Sequence, residues 1–131
     1  MQFINPEQVL APQGGYSNSV VSGDLIFVAG QVGVDAQMKF TGSAGMADQT
    51  RQTLANIEAI LKAAHAGLED VVSATVFVSD FAAYKEFDRV WTECFGAHRP
   101  ARATVRAELV LPQLLVEIQV IARRPANAEH A

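Results

Sequence analysis

The chain has one cysteine, Cys94, in 131 residues, so no intrachain disulfide can close and a reducing, cytoplasmic setting fits it best. Its place among helical apolar residues predicts a small buried hydrophobe rather than an activated nucleophile. The three histidines, His65, His98 and His130, stand far apart, and neither a His-Glu-x-x-His nor a Cys-x-x-Cys pattern occurs. A dedicated zinc site has no donor set to build on. Cations are also few: 10 Lys and Arg against 14 Asp and Glu leave a net charge of −4. Displacing counterions from a polyphosphate needs clustered Lys and Arg, so nucleic acid is not an expected partner. Arg123-Arg124 is the only adjacent basic pair and reads as solvated charge at a strand end. No apolar run approaches the ~18 residues of a membrane span, and no basic-then-apolar leader opens the chain. A membrane partner is therefore not expected. Gly-x-Ser-x-Gly, P-loop and dinucleotide fingerprints are missing as well, which removes the usual signatures of nucleotide chemistry and of a serine elbow.

What is present suits one folded domain over residues 1–131. Half of the residues are hydrophobic and 18% are charged, well away from the composition of disordered chains. A chain of this length buries roughly two-thirds of its unfolded surface. Residues 1–15 carry Pro6, Pro12, Gly14 and Gly15 and read as an irregular arm (1–11) whose continuation turns sharply into a strand at Tyr16. Strands are expected over Tyr16 to Val21 and Leu25 to Gln31, joined at Ser22-Gly23-Asp24. Residues 33–45 read as a loop with room for a short strand. Leu54, Ile57, Leu61 and Ala64 mark one stripe of a helix over Asp48 to Ala66, with Gly67 as its stop. Asp70 to Val78 reads as a strand with Val72, Ala74, Val76 and Val78 on one face and Val71, Thr75 and Phe77 on the other. Apolar residues on both faces point to a central strand or to a second subunit against its outer side. Asp80 is a fitting cap for a second helix, in which Tyr84, Phe87, Val90, Trp91 and Cys94 form a core stripe up to Gly96. Two strands, Ala101 to Glu108 and Leu114 to Arg123, finish the domain, and 125–131 has the composition of a frayed tail. The order β-β-α-β-α-β-β predicts an α+β fold, a mixed sheet with two helices on one face.

Two charged residues interrupt these strands. Glu117 shares a face with Leu115, Gln119 and Ile121, while Val116, Ile118 and Val120 point the other way. Arg102 follows Pro100-Ala101 and shares a face with Thr104, Arg106 and Glu108. A buried carboxylate requires a partner or a wet cavity, and a guanidinium can grip a carboxylate with two parallel hydrogen bonds. Residue types alone leave two readings open: a buried Arg–Glu ion pair, between neighbouring strands or at a subunit contact, or a site for an acidic small molecule.

Across residues 12–124 the sequence resembles the reactive intermediate deaminase family, RidA/YjgF. The matching pieces, in order, are Gly15-Tyr16-Ser17, Leu25 through Gln31, Gln49 through Ile57, Asp70-Val71-Val72, Val76-Phe77-Val78, Arg99-Pro100-Ala101-Arg102, Leu111-Pro112 and Val116-Glu117-Ile118. The resemblance implies a chorismate-mutase-like fold and a homotrimer with clefts between neighbouring subunits. It further implies cofactor-independent hydrolysis of 2-imino or enamino acids to 2-ketoacids and ammonia. By the same resemblance Arg102 binds the substrate carboxylate, Glu117 directs the attacking water and Tyr16 borders the cleft. Ala29, Gly30, Asp88 and Thr104 are then expected on the substrate side. Ala29 stands where a serine is frequent, and Asp88, where many relatives have asparagine, adds negative charge near an anionic substrate. Two other roles remain in view: a trimeric protein that binds and senses a 2-ketoacid without turnover, and an aminomuconate-type enamine deaminase serving one pathway. Ribonuclease activity is the least compatible with the acidic charge.

Overall fold

Residues 116–123 alternate strictly: Val116, Ile118, Val120 and Ala122 are buried, while Glu117, Gln119 and Ile121 turn to the opposite face. In the computed structural model, which describes residues 1–126, this segment is an interior strand of a six-stranded sheet. The strands are β1 (Gln2–Ile4), β2 (Ser19–Ser22), β3 (Leu25–Val32), β4 (Val71–Val78), β5 (Ala101–Arg106) and β6 (Val116–Arg123); the helices are α1 (Met46–Ala63) and α2 (Tyr84–Phe95). The sheet order is β1-β2-β3-β6-β4-β5. Only β4 and β5 run parallel, joined through α2, and every other pair is antiparallel. Both helices cover one face. Leu54, Ile57, Leu61 and Ala64 of the first helical segment, with Phe87, Val90 and Trp91 of the second, are buried there, as the helical spacing requires. The α+β architecture read from the sequence is therefore present, with one strand added.

The added strand is β1, which lies in the arm expected to be irregular. Three residues are too few to show a period, and Pro6 ends the segment at once, so only pairing with β2 and the bond from Ser19 Oγ to the Ile4 carbonyl define it. Tyr16 does not enter a strand. It sits in a turn, its amide bonded to the Gly14 carbonyl at 2.9 Å, and β2 starts three residues later. α1 stops before Gly67. His65 takes the left-handed position (φ 63°), and the Ala66 and His65 amides donate to the Leu61 and Lys62 carbonyls, which completes a Schellman cap. Gly67 instead precedes the short 3₁₀ turn Leu68–Asp70, where its amide donates to the Asp70 carboxylate.

On β4 a bulge between Val71 and Ser73 reverses the parity of the first residues, so Val71 is buried with Ala74, Val76 and Val78 while Val72 is exposed. Cys94 is exposed rather than buried: Phe95, one residue on, takes the core position at the end of α2. Within the loop of residues 33–45 the only pairing is the isolated bridge Val34–Phe40. His130 and the tail beyond Ala126 lie outside the described residues.

Buried amides fix the loops around this core. Gln49 donates to the Ala44 and Gln113 carbonyls and accepts from the Leu115 amide, tying the start of α1 to the approach to β6. Asn56 donates to the Val32 and Val34 carbonyls at the end of β3. A Cβ on Gly33 would lie 2.7 Å from the Gln49 Cα, so glycine is what allows β3 and α1 to approach there. The sheet face opposite the helices stays open and apolar: Phe27, Val72 and Val105 are exposed, and Phe77 and Ile121 are half-buried.

Candidate functional site

Register decides where the two charged strand residues go. Arg102 is the partner of Ala74, a core residue, so its side chain leaves β5 on the helix-covered side at the edge of the sheet. Glu117 is paired with Phe77, three residues further along β4, and therefore lies on the open side. β4 separates their strands. An Arg102–Glu117 ion pair between neighbouring strands is thus not formed, and the two residues belong to two candidate half-sites on opposite faces of the sheet.

The first half-site is built on α2. Tyr84 and Asp88 are four residues apart and share a helix face with Phe87 and Trp91. Arg102 Nη1 donates to Asp88 Oδ1 at 2.8 Å, and Nη2 donates to the Tyr84 hydroxyl. The guanidinium carbon lies 5.7, 5.2 and 5.0 Å from the ring centres of Tyr84, Phe87 and Trp91, within cation–π range. The arginine side chain is 17% exposed and that of Asp88 is 45% exposed, so this pair sits at a mouth rather than in the core. Thr104, two residues from Arg102 on the same strand face, is half-buried. Tyr84, Phe87 and Trp91 were legible only as a core stripe; their second role as a platform for a cation has no signature beyond aromatic residues and one acid at helical spacing.

The second half-site is built on β3 and β6. Between Val28 and Gln31 the register with β6 shifts, so Ala29 and Gly30 form a bulge opposite Gln119, just before Val32 pairs with Glu117. A Cβ on Gly30 would stand 2.5 Å from Glu117 Oε2, so the carboxylate occupies space that only glycine leaves free. Glu117 is half-buried, and among the described residues no hydrogen-bond donor or cation pairs with it. Desolvation raises its pKa above the ordinary 4.5. Gly30 also borders a cavity of about 50 Å³ together with Tyr16, Asn18 and Gln31. Tyr16 is 54% exposed, and its hydroxyl accepts a hydrogen bond from the Gln13 amide at 3.3 Å. Gly30 thus links the two parts of this region, meeting Glu117 and lining the small cavity with Tyr16, with Ala29 beside it in the bulge, while Asp88, Arg102 and Thr104 lie together elsewhere. Among the described residues no three His, Cys, Asp or Glu side chains gather as a metal site, and no helix is long and apolar enough to cross a membrane.

Comparison with known proteins bears on the family and the fold. The family model described as Endoribonuclease L-PSP matches residues 6–124. A RutC family protein of Pyrococcus horikoshii is 36% identical over 121 residues, covering 92% of this chain and 96% of its own. The chloroplastic Reactive Intermediate Deaminase A of Arabidopsis thaliana is 31% identical, over 92% of this chain and 65% of that protein. Among solved structures, TdcF of E. coli with bound serine superposes with a TM-score of 0.88 at 27% identity, covering 95% of this chain and 100% of that one. With a family model spanning nearly all of the described chain and a 36% identical relative aligned almost end to end, the chain belongs to the RidA/YjgF family.

Proposed function

We propose that the protein is a hydrolytic deaminase that converts 2-imino or enamino acids to 2-ketoacids and ammonia in clefts shared by two copies of the chain. The observation that carries this reading is the placement of Arg102 and Glu117 on opposite sheet faces. A cation and a carboxylate that must act on one small substrate cannot do so within this chain. A second copy packed against the open apolar face would supply the missing half. A cyclic homotrimer satisfies every half-site. The relative solved with serine supports a ligand of 2-amino-acid type, and the deaminase named among the relatives supports the reaction class.

The chemistry asks little of the protein. Protonation of the C=N nitrogen makes its carbon electrophilic; water adds there and loses a proton, and once a proton is returned to the nitrogen the carbinolamine expels ammonia as its hydroxyl gives up a proton and the C=O forms. Arg102 holds the carboxylate, Glu117 from the neighbouring copy accepts the proton of the attacking water, and Tyr16 closes the pocket beside it. Thr104 lines the arginine side, and Ala29 and Gly30 the glutamate side.

The test is a coupled assay in which an amino-acid oxidase generates the imine and this protein accelerates its loss. Imine loss at the spontaneous rate, alongside saturable 2-ketoacid binding, would leave only a binding role. The pH dependence is set by Glu117. Its base form is the carboxylate, and a raised pKa leaves more of it protonated at a given pH. The rate is expected to fall as the medium is acidified, with the midpoint above the 4.5 of an ordinary glutamate; Glu117→Gln should abolish this limb.

Gly30→Ala gives a second check. The added methyl meets the tip of a flexible side chain, so the fold should hold while the carboxylate is displaced. A shift of about 1 Å in a catalytic group lowers turnover by roughly 10- to 100-fold. The expected result is that loss in kcat with little change in melting temperature. Full activity in the variant would remove Glu117 from the reaction.

A further inference from the structure

Arg102 is the group expected to receive a carboxylate, yet its charge is already balanced. Of its five N–H donors, one from Nη1 goes to Asp88 and one from Nη2 to Tyr84, which leaves three for a ligand. Among the described residues Asp88 makes no other salt bridge. Lys85, one turn earlier on α2, makes no salt bridge to it, and Arg89 is engaged by Glu93 at 2.9 Å. Only one Asp88 oxygen is used, and its side chain is 45% exposed, so the other oxygen is open to whatever approaches the guanidinium.

We propose that Asp88 sets the substrate class of this site, favouring monocarboxylates whose nitrogen is cationic and excluding dicarboxylates. This rests on the deaminase reading for the identity of the reacting group, though the charge selection itself acts on binding. An iminium acid carries its cation one carbon from its carboxylate, so it matches an arginine and an aspartate held 2.8 Å apart. A second carboxylate on the ligand would add an anion beside Asp88, and Lys85, the cation one turn earlier on α2, is exposed and screened by water, so it offsets little of that charge. The next cation on that strand face is Arg106, four residues on and roughly 13 Å away along the strand, beyond a Debye length of about 8 Å at physiological salt. Glu117, if brought in by a neighbouring copy, adds another acid and strengthens the same preference.

The experiment has a binding arm and a turnover arm, each on wild type and Asp88→Asn, an isosteric change on a side chain open to water. In calorimetry, wild type is expected to bind 2-oxobutanoate about tenfold more tightly than 2-oxoglutarate, and Asp88→Asn to bring the two within about threefold, the size expected for one partly exposed charge. In the oxidase-coupled assay the variant should gain on imines from glutamate and lose about tenfold in kcat/KM on those from lysine, for the same electrostatic reason. An unchanged mono- to dicarboxylate ratio in the variant overturns the proposal, as does the absence of 2-ketoacid binding in wild type. Binding that shifts as stated without any turnover would instead overturn the deaminase reading and leave the role of Asp88 standing.

Discussion

Arg102→Ala is expected to lower kcat/KM for 2-imino acids by about 100- to 1,000-fold, because charge-assisted hydrogen bonds contribute roughly 1.5–3 kcal/mol each and each 1.36 kcal/mol is tenfold. Ligand and platform both lose their anchor. The fold should survive. Asp88 is left without its partner, but its carboxylate is already 45% exposed and can be hydrated, and the Tyr84 hydroxyl stands beside the same opening. Loss of the guanidinium from the faces of Tyr84, Phe87 and Trp91 should destabilise the chain by about 1–3 kcal/mol. Arg102→Lys separates charge from geometry. An ammonium is a point charge on a flexible stem, and it cannot bond Asp88 and Tyr84 together and still offer two parallel donors to a carboxylate. Lysine is therefore expected to recover most of the stability and little of the activity. Steady-state rates with oxidase-generated imine, paired with melting curves, measure both. Wild-type turnover in Arg102→Ala would end the assignment of this residue to the substrate.

Most of the sheet and both helices were legible because their burial follows a simple period. Val116, Ile118 and Val120 on one side of β6 and the Leu54, Ile57, Leu61 stripe of α1 are examples. The errors have local causes. A bulge at Val71–Ser73 changes which face a residue occupies, and no residue type marks it. His65 adopts the left-handed conformation for which Gly67, two positions later, is the residue type expected. The three residues of β1 form a strand only because β2 offers an edge.

The site was legible in its members but not in its arrangement. Arg102 and Glu117 announce themselves as charge inside strands, yet pairing them requires knowing which face of each strand the helices cover. β6 answers that from its buried residues. β5 does not, since none of its six residues is fully buried and Ala-Arg-Ala-Thr-Val-Arg has no strongly apolar side to mark the helix-covered face. Only the register of Arg102 with Ala74 settles it. The partners of Arg102 were hidden for another reason: Tyr84 and Asp88 lie on a helix whose apolar spacing explains itself as core, so nothing in the sequence pointed to an arginine resting on that face. Gly30 shows the same limit, because a glycine in a strand can mean a bulge or a close approach. Here it is both, and the approaching atom is the Glu117 carboxylate.

Opposite placement of the two half-sites leads to the result that separates a shared cleft from every single-chain alternative. Arg102→Ala and Glu117→Gln should each be nearly inactive alone, since every cleft in either assembly lacks one required group. If the two variants are unfolded together and refolded as a mixture, a cleft is complete when its arginine comes from a Glu117→Gln chain and its glutamate from an Arg102→Ala chain. With equal amounts and random assembly into a closed ring, roughly one cleft in four meets that condition. Activity should therefore rise from background to about a quarter of wild type, and it should vanish again if the same two substitutions are placed in one chain and refolded by itself. The gain depends on subunit exchange, so simple mixing of preassembled variants should restore activity only as slowly as the copies come apart. A mixture that stays inactive, while size measurements show that mixed assemblies have formed, would mean that Arg102 and Glu117 never serve the same substrate. Recovery to the expected level requires that they do, because no rearrangement of one chain short of unfolding its sheet can bring the two faces together.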